Sequence, residues 1–285
     1  MKNSLCLDLF PNPGLPTQNK YQHFSKDMIK KKVGKEKELE FYISEDSSYC
    51  VNPNMFALYD FKKEPLLGKY QSVIVDRKEG IVLSKRSSKA HFHDLLKYKL
   101  LMGLTFQKEI ARRLGYKDRH VIFTGKLAYF SIRGYTKASN DWVSLHLMDD
   151  YQILGNRSIR FKSIELNGVT YTFTFANCCR HIRSKIAESL RHNNVVFKVS
   201  NYHLKHTMGW SIYRLRGKKS LLDKEEYFTP HPAIEFFTMK EICADLMNQK
   251  HSKYGKMMAE LFQLDFMKED HKLIHRLSQR DDSLF

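Results

Sequence analysis

The chain has 285 residues, 42% of them hydrophobic and 13% aromatic, enough to bury the core of one large domain and to exclude wholesale disorder. Lys and Arg number 48 against 31 Asp and Glu, a net charge of +17, which favours a polyanionic partner: DNA, RNA or an anionic membrane face. No apolar stretch is long enough to cross a bilayer, and the opening residues, with Asp8, Pro11, Pro13 and Pro16, read as neither signal peptide nor anchor.

The charge is concentrated in the middle. Residues 62–219 hold 31 Lys and Arg against 11 Asp and Glu, while the rest of the chain holds 17 against 20. A polyanion is therefore expected to bind the central region. The five cysteines, Cys6, Cys50, Cys178, Cys179 and Cys243, are odd in number and make no C-x-x-C pair. They read as reduced thiols of a cytoplasmic protein, not as a disulfide framework or a zinc site.

Residues 1–37 read as a flexible basic N-terminal arm that includes Lys30-Lys31-Lys32. Residues 39–90 read as short strands. Met55, Ala57, Tyr59 and Phe61 share one face of an extended segment, and Ser72–Asp76 and Gly80–Ser84 flank a polar turn as a hairpin. Residues 91–114 turn helical, with Leu95, Leu96, Leu100 and Leu101 at helical spacing, then a second helix with Ile110 and Leu114 on one face and Thr105 as N-cap.

Strands return over 120–175. Asn167-Gly168 between two strand-like runs predicts a type I′ hairpin turn. On its first arm the apolar phase switches between Phe161 and Ile164, which predicts a bulge near Ser163. Residues 177–193 form an amphipathic helix with Cys179, Ile182, Ile186 and Leu190 on one face and Asn177 as its cap, followed by a strand over Val195–Val199. From 220 to 285 the composition shifts, and capping-box spacing at Thr238–Glu241 predicts a helical C-terminal extension. The expected architecture is α+β: a mainly antiparallel β-sheet domain with a few helices over 38–219, plus that extension.

Catalytic signatures are weak. There is no phosphate-binding G-x-x-x-x-G-K-[ST], no G-x-G-x-x-G after a strand and no G-x-S-x-G elbow. Asp149-Asp150 reads as a solvated turn, not as the metal site of a nuclease. His91-x-His93 and His203-x-x-His206 read as surface or packed histidines, and Cys178-Cys179 near His181 as structural thiols. No metal or cofactor is expected. Gln107–Tyr116 has the spacing of the first part of a helix-turn-helix, but His120–Phe130 is rich in β-branched and aromatic residues and is poor material for the second helix.

What remains is a set of basic side chains on regular structure. Lys85, Arg86 and Lys89 follow a strand, Arg112 and Arg113 lie on a helix, and Lys126, Arg133 and Lys137 border strands. Arg180, Arg183, Lys185 and Arg191 lie on the amphipathic helix. Such residues neutralise phosphates, and arginine also enters a narrow minor groove. This twelve-residue set is the expected nucleic-acid surface, with double-stranded DNA as the first choice of partner. An RNA-binding protein and a metal-dependent nuclease are the alternatives.

Over about residues 49–200 the order of features resembles the ComK competence transcription factor family. The similarity runs through Tyr49-Cys50-Val51-Asn52, Met55-Phe56-Ala57-Leu58-Tyr59, Val73-Ile74-Val75-Asp76, Ser87-Ser88-Lys89 and Leu127-Ala128-Tyr129-Phe130. It continues through Asp141-Trp142-Val143-Ser144-Leu145-His146, the hairpin Ile164-Glu165-Leu166-Asn167-Gly168 and the helix beyond. The family's Phe-Pro-Thr is Phe130-Ser131-Ile132 here, its Gly-Arg pair after the serines is missing, and both termini are longer. The resemblance implies a non-enzymatic transcription activator that binds AT-rich DNA through the minor groove as paired dimers. It also implies a nucleoid-associated bacterial setting and control by a regulatory adaptor or protease.

Overall fold

The computed structural model describes residues 14–98, 103–116, 121–123, 126–134, 140–210 and 220–227, together with Ala244, Asp245, Asn248, Ser252 and Gly255. Strands and helices are numbered in chain order. One sheet has the order β1 (His23–Phe24), β11 (Thr172–Phe175), β10 (Ser158–Ser163), β9 (Met148–Gly155). The other has the order β2 (Ile43–Glu45), β5 (Gly80–Ser84), β4 (Ser72–Asp76), β3 (Met55–Asp60), β8 (Trp142–Ser144), β7 (Ala128–Ser131), β6 (Val121–Phe123). The helices are α1 (Lys26–Lys32), α2 (Lys37–Glu40), α3 (Ser88–Tyr98), α4 (Gly103–Arg113) and α5 (Ile182–Met208). The protein is thus an α+β fold with mostly antiparallel sheets.

The two sheets face each other across aromatic rings. Phe173 stacks between Phe24, at 5.5 Å, and Phe56, at 5.4 Å, and Tyr59 stacks on Phe175 at 5.0 Å. Such pairs bring large apolar area and a preferred geometry into one contact. Leu190, Val196 and Val199 of α5 and Phe106 and Ile110 of α4 join the same core. A second cluster lies on the other side of the seven-stranded sheet, where Phe92 of α3 stacks on Trp142 at 3.7 Å above Met55, Leu58, Ile74 and Val82. Strands β3, β4, β5, β7 and β8 are buried on both faces, which is why they read as unbroken apolar runs. A register shift between Met55 and Ala57 puts Phe56 into the inter-sheet core with Ala57 and Tyr59, and Met55 into the other cluster.

Residues 14–37 are not a flexible arm. Ser25 caps α1, its Oγ accepting the Met28 N–H at 3.1 Å, and Tyr21, Phe24, Ile29 and Val33 are buried. Strand β1 pairs in parallel with β11, so this segment supplies an edge strand to the four-stranded sheet. The Lys30-Lys31-Lys32 run is the last turn of α1, where cations suit the helix dipole.

The hairpin over β4 and β5 and the Asn167-Gly168 turn stand as read. Both turn residues have positive φ, 49° and 80°, and Leu166 bridges Val169. The irregularity near Ser163 is present, but the extra residue lies on the partner strand: Lys162 pairs with Asp150 and Ser163 with Met148, which leaves Asp149 over. Asp149-Asp150 is therefore strand, not a solvated turn, and Asp150 pairs with Lys224 at 3.1 Å.

Helix α5 runs straight through the segment expected as a strand. Val195, Val196 and Val199 extend the buried stripe of Ile182, Ile186 and Leu190, so burial outweighs the β-preference of valine. Its cap position is His181, not Asn177, which has a φ of 55°. The helix ends at Gly209, with φ 70°, and the Trp210 N–H bonds Leu204 O at 3.1 Å. Helix α4 begins at Gly103, two residues before the expected cap Thr105, and β6 stands where a helix-turn-helix needs its second helix.

In the anticipated C-terminal extension, Leu221, Leu222 and Tyr227 pack into the main core, and Ala244, Asp245, Asn248, Ser252 and Gly255 have helical backbone. Leu100, Leu101 and the Thr238–Glu241 capping box lie outside the described residues. No helix among the described residues is long and apolar enough to cross a membrane.

Candidate nucleic-acid interface

The expected basic residues separate into groups. After β5, Lys85 and Lys89 are exposed, while the Arg86 guanidinium donates to Asp94 Oδ2 at 2.5 Å. That contact holds the Asp94 carboxyl below the usual carboxylate range. On α4, Arg112 and Arg113 both bond Glu109, at 2.5 and 3.1 Å, and both also meet Asp245. The Glu109 side chain is only 2% exposed, so this pair is bound to a buried counter-charge. Lys185 pairs with Glu188 at 2.9 Å. Lys126 is half-buried beside β7, Arg191 is exposed on α5, and Lys137 lies outside the described residues.

Arg133, Arg180 and Arg183 come together with residues that the sequence did not single out. A cleft of about 740 Å³ is lined by Lys26, Lys30, Lys63, Arg133 and Arg157, with Asp60, Glu64 and Asp141 among them. A smaller cleft of about 520 Å³ adjoins it between the β9–β10 turn and the start of α5, lined by Arg157, Arg180 and Arg183. Arg157 and Cys179 line both, so the two clefts adjoin at these residues and are together called the basic groove.

The acids in the groove are engaged. Asp141 takes Lys26 Nζ at 2.8 Å and the Asp60 N–H at 2.8 Å. Burial pushes its pKa up, and Lys26 opposes that. Asp60 accepts Ser88 Oγ–H and the Lys62 N–H, and Glu64 pairs with Lys30 at 2.5 Å. Among the described residues, Lys63, Arg133, Arg157, Arg180 and Arg183 have no carboxylate partner. Lys26 and Lys30 fall in the segment expected as a flexible basic arm, and Lys63 enters the sequence reading only through the charge of residues 62–219. The Gly155-Asn156 pair just before a strand was the one available pointer to Arg157.

The other candidate chemistry does not assemble. Burial pushes the Cys178 thiol up to about 12 and also raises Cys179, which leaves little thiolate for attack. Both ring nitrogens of His91 are occupied, by Tyr49 O at 2.9 Å and Ser84 Oγ at 3.0 Å. No group of three or more His, Cys, Asp or Glu able to hold a metal exists among the described residues. The outward side of the four-stranded sheet presents Gln152, Arg160, Lys162, Thr172 and Thr174, by strand alternation from the buried Phe161 and Phe173. Comparison with family models, with curated proteins and with solved structures finds nothing that matches this chain.

Proposed function

We propose that the chain is a DNA-binding transcription regulator of the ComK-like type that grips AT-rich duplex DNA along the basic groove. The observation that carries this reading is a set of five cations with no carboxylate partner among the described residues, Lys63, Arg133, Arg157, Arg180 and Arg183, lining two adjoining clefts that share Arg157. Cations already bonded to acids contribute little new attraction to phosphate, whereas these five are available to it. Single-strand recognition uses aromatic platforms, and the outward residues of β10 and β11, Arg160, Lys162, Thr172 and Thr174, carry no aromatic ring, which supports a duplex over a single strand. The resemblance carries the activator role, minor-groove reading, a homo-oligomer, the nucleoid-associated setting and an adaptor or protease partner.

The test is affinity for an AT-rich duplex and for a structured RNA across a salt series. With about five phosphates neutralised, log K falls with log salt at a slope of about −4 to −5. Arg180→Ala with Arg183→Ala weakens duplex binding by about tenfold or more and flattens the slope by about 2. A salt-independent affinity, a preference for RNA above about tenfold, or clean cleavage of DNA with magnesium overturns the reading.

A further inference from the structure

The four-stranded sheet contains two hairpin turns whose two central residues both have positive φ, and their chemistry differs. Strands β10 and β11 are joined through Asn167-Gly168, with φ of 49° and 80°. Strands β9 and β10 are joined through Asn156-Arg157, with φ of 44° and 56°, and Ser158 pairs with Gly155 across the turn. Such turns take glycine at the second position, because left-handed φ crowds a Cβ. Arg157 stands where the sister turn has Gly168. Strain of this kind persists where the surrounding structure holds it, and it clusters at ligand clamps.

The side chain has a defined place. Arg157 Nε donates to Cys178 O at 2.9 Å, and Arg157 O accepts the Cys178 N–H at 2.7 Å. Arg133, just beyond β7, donates its Nε to Asn177 O at 3.1 Å. Two arginines thus grip consecutive carbonyls of one loop through Nε, and both line the larger cleft. Their Nη1 and Nη2 groups meet no carboxylate among the described residues. Of the nearby acids, Asp141 is held by Lys26, Glu64 by Lys30 and Asp60 by Ser88. A guanidinium fixed at Nε has already lost much of its rotamer freedom, and its remaining N–H pair matches the oxygens of a phosphate.

We propose that Arg133 and Arg157 form a phosphate clamp, and that Arg157 is retained at a strained turn position for that purpose. The clamp takes one phosphate group, with Lys63 lining the same cleft. The DNA reading supplies the source of that phosphate, a backbone phosphodiester; the clamp chemistry itself does not depend on it.

The experiment measures binding of a short AT-rich duplex and of inorganic tripolyphosphate to the full chain and to Arg157→Gly, Arg157→Lys and Arg133→Met, with thermal melts alongside. Arg157→Gly is expected to weaken duplex binding about tenfold at about 0.1 M salt, to reduce the salt slope by about 1, and to abolish tripolyphosphate binding. Its Tm is expected to stay within about 2 °C of the parent or above it, because relief of the left-handed backbone offsets loss of the Nε bond. Arg157→Lys keeps the charge without the fork and is expected to bind nearer to the glycine variant than to the parent.

Duplex binding in which the variants differ from the parent by less than about twofold removes the clamp and leaves the DNA reading standing. Tripolyphosphate binding that is lost in Arg157→Gly, with no duplex binding by the parent, keeps the clamp and removes the DNA reading. A lysine variant equal to the parent, a Tm loss in Arg157→Gly above about 4 °C, or a parent that binds neither probe overturns the clamp.

Discussion

Helix α4 carries two arginines, and two more flank the start of helix α5. Arg183 lies in its first turn and Arg180 in the turn before its cap His181, not on the helix as expected. In the sequence the two pairs look alike. In the fold they differ. Arg112 and Arg113 reach back to Glu109, a buried carboxylate on their own helix, and forward to Asp245. Arg180 and Arg183 are exposed and open onto a groove shared with Arg157. A basic count measures how much positive charge a segment holds. Only the placement of its acids determines how much of that charge a phosphate can use. The same distinction divides Arg86, bonded to Asp94, from its exposed neighbours Lys85 and Lys89.

The strongest way to break this comparison is to remove the buried acid. Glu109→Ala leaves the half-buried Arg113 without its near partner and is expected to destabilise the protein by about 3 kcal/mol, read from urea unfolding. A loss below about 1 kcal/mol would show that Glu109 is not what holds the α4 pair and would leave Asp245 as its counter-charge. A gentler test uses pH. The Asp94 carboxyl is held low by Arg86, so the native state resists its protonation and the unfolded state does not. The stabilising effect is present above the ordinary carboxylate pKa and is lost as pH falls through the lowered one. In an NMR titration, Asp94 is expected to titrate below the usual carboxylate range and to return to it in Arg86→Ala; an unchanged titration removes Arg86 from the neutralised group.

Local signals were the most legible part of the fold. The turn at Asn167-Gly168, the β4–β5 hairpin and the irregularity near Ser163 depend on a few neighbouring residues, and each is present. Readings failed where distant contacts decide. Val195–Val199 looks like a strand until α4 and the core give its valines a helical stripe to fill. Residues 14–37 look like a loose arm because the partner of β1, Thr172–Phe173, lies far along the chain. The groove was partly legible for the same reason. Arg133, Arg180 and Arg183 announce themselves as charges, whereas Arg157 matters through a turn conformation that only strand register reveals.

The finest test sits within one helix. Arg183 and Lys185 are two residues apart on α5 and carry equal charge, yet Lys185 is tied to Glu188 at 2.9 Å and half-buried, while Arg183 is exposed on the groove. If availability governs binding, Lys185→Ala changes duplex affinity by less than about twofold, well below the effect of Arg183→Ala. The reciprocal change sharpens the point. Glu188→Ala removes one negative charge beside the groove and the carboxylate that Lys185 bonds, so duplex affinity is expected to rise by about twofold to threefold, with a slightly steeper salt dependence. Anisotropy titrations of the three variants at two salt concentrations separate these outcomes. Equal losses in Arg183→Ala and Lys185→Ala, with no gain in Glu188→Ala, would mean that the duplex responds to total charge on the helix and that pairing with acids does not decide which cations it uses.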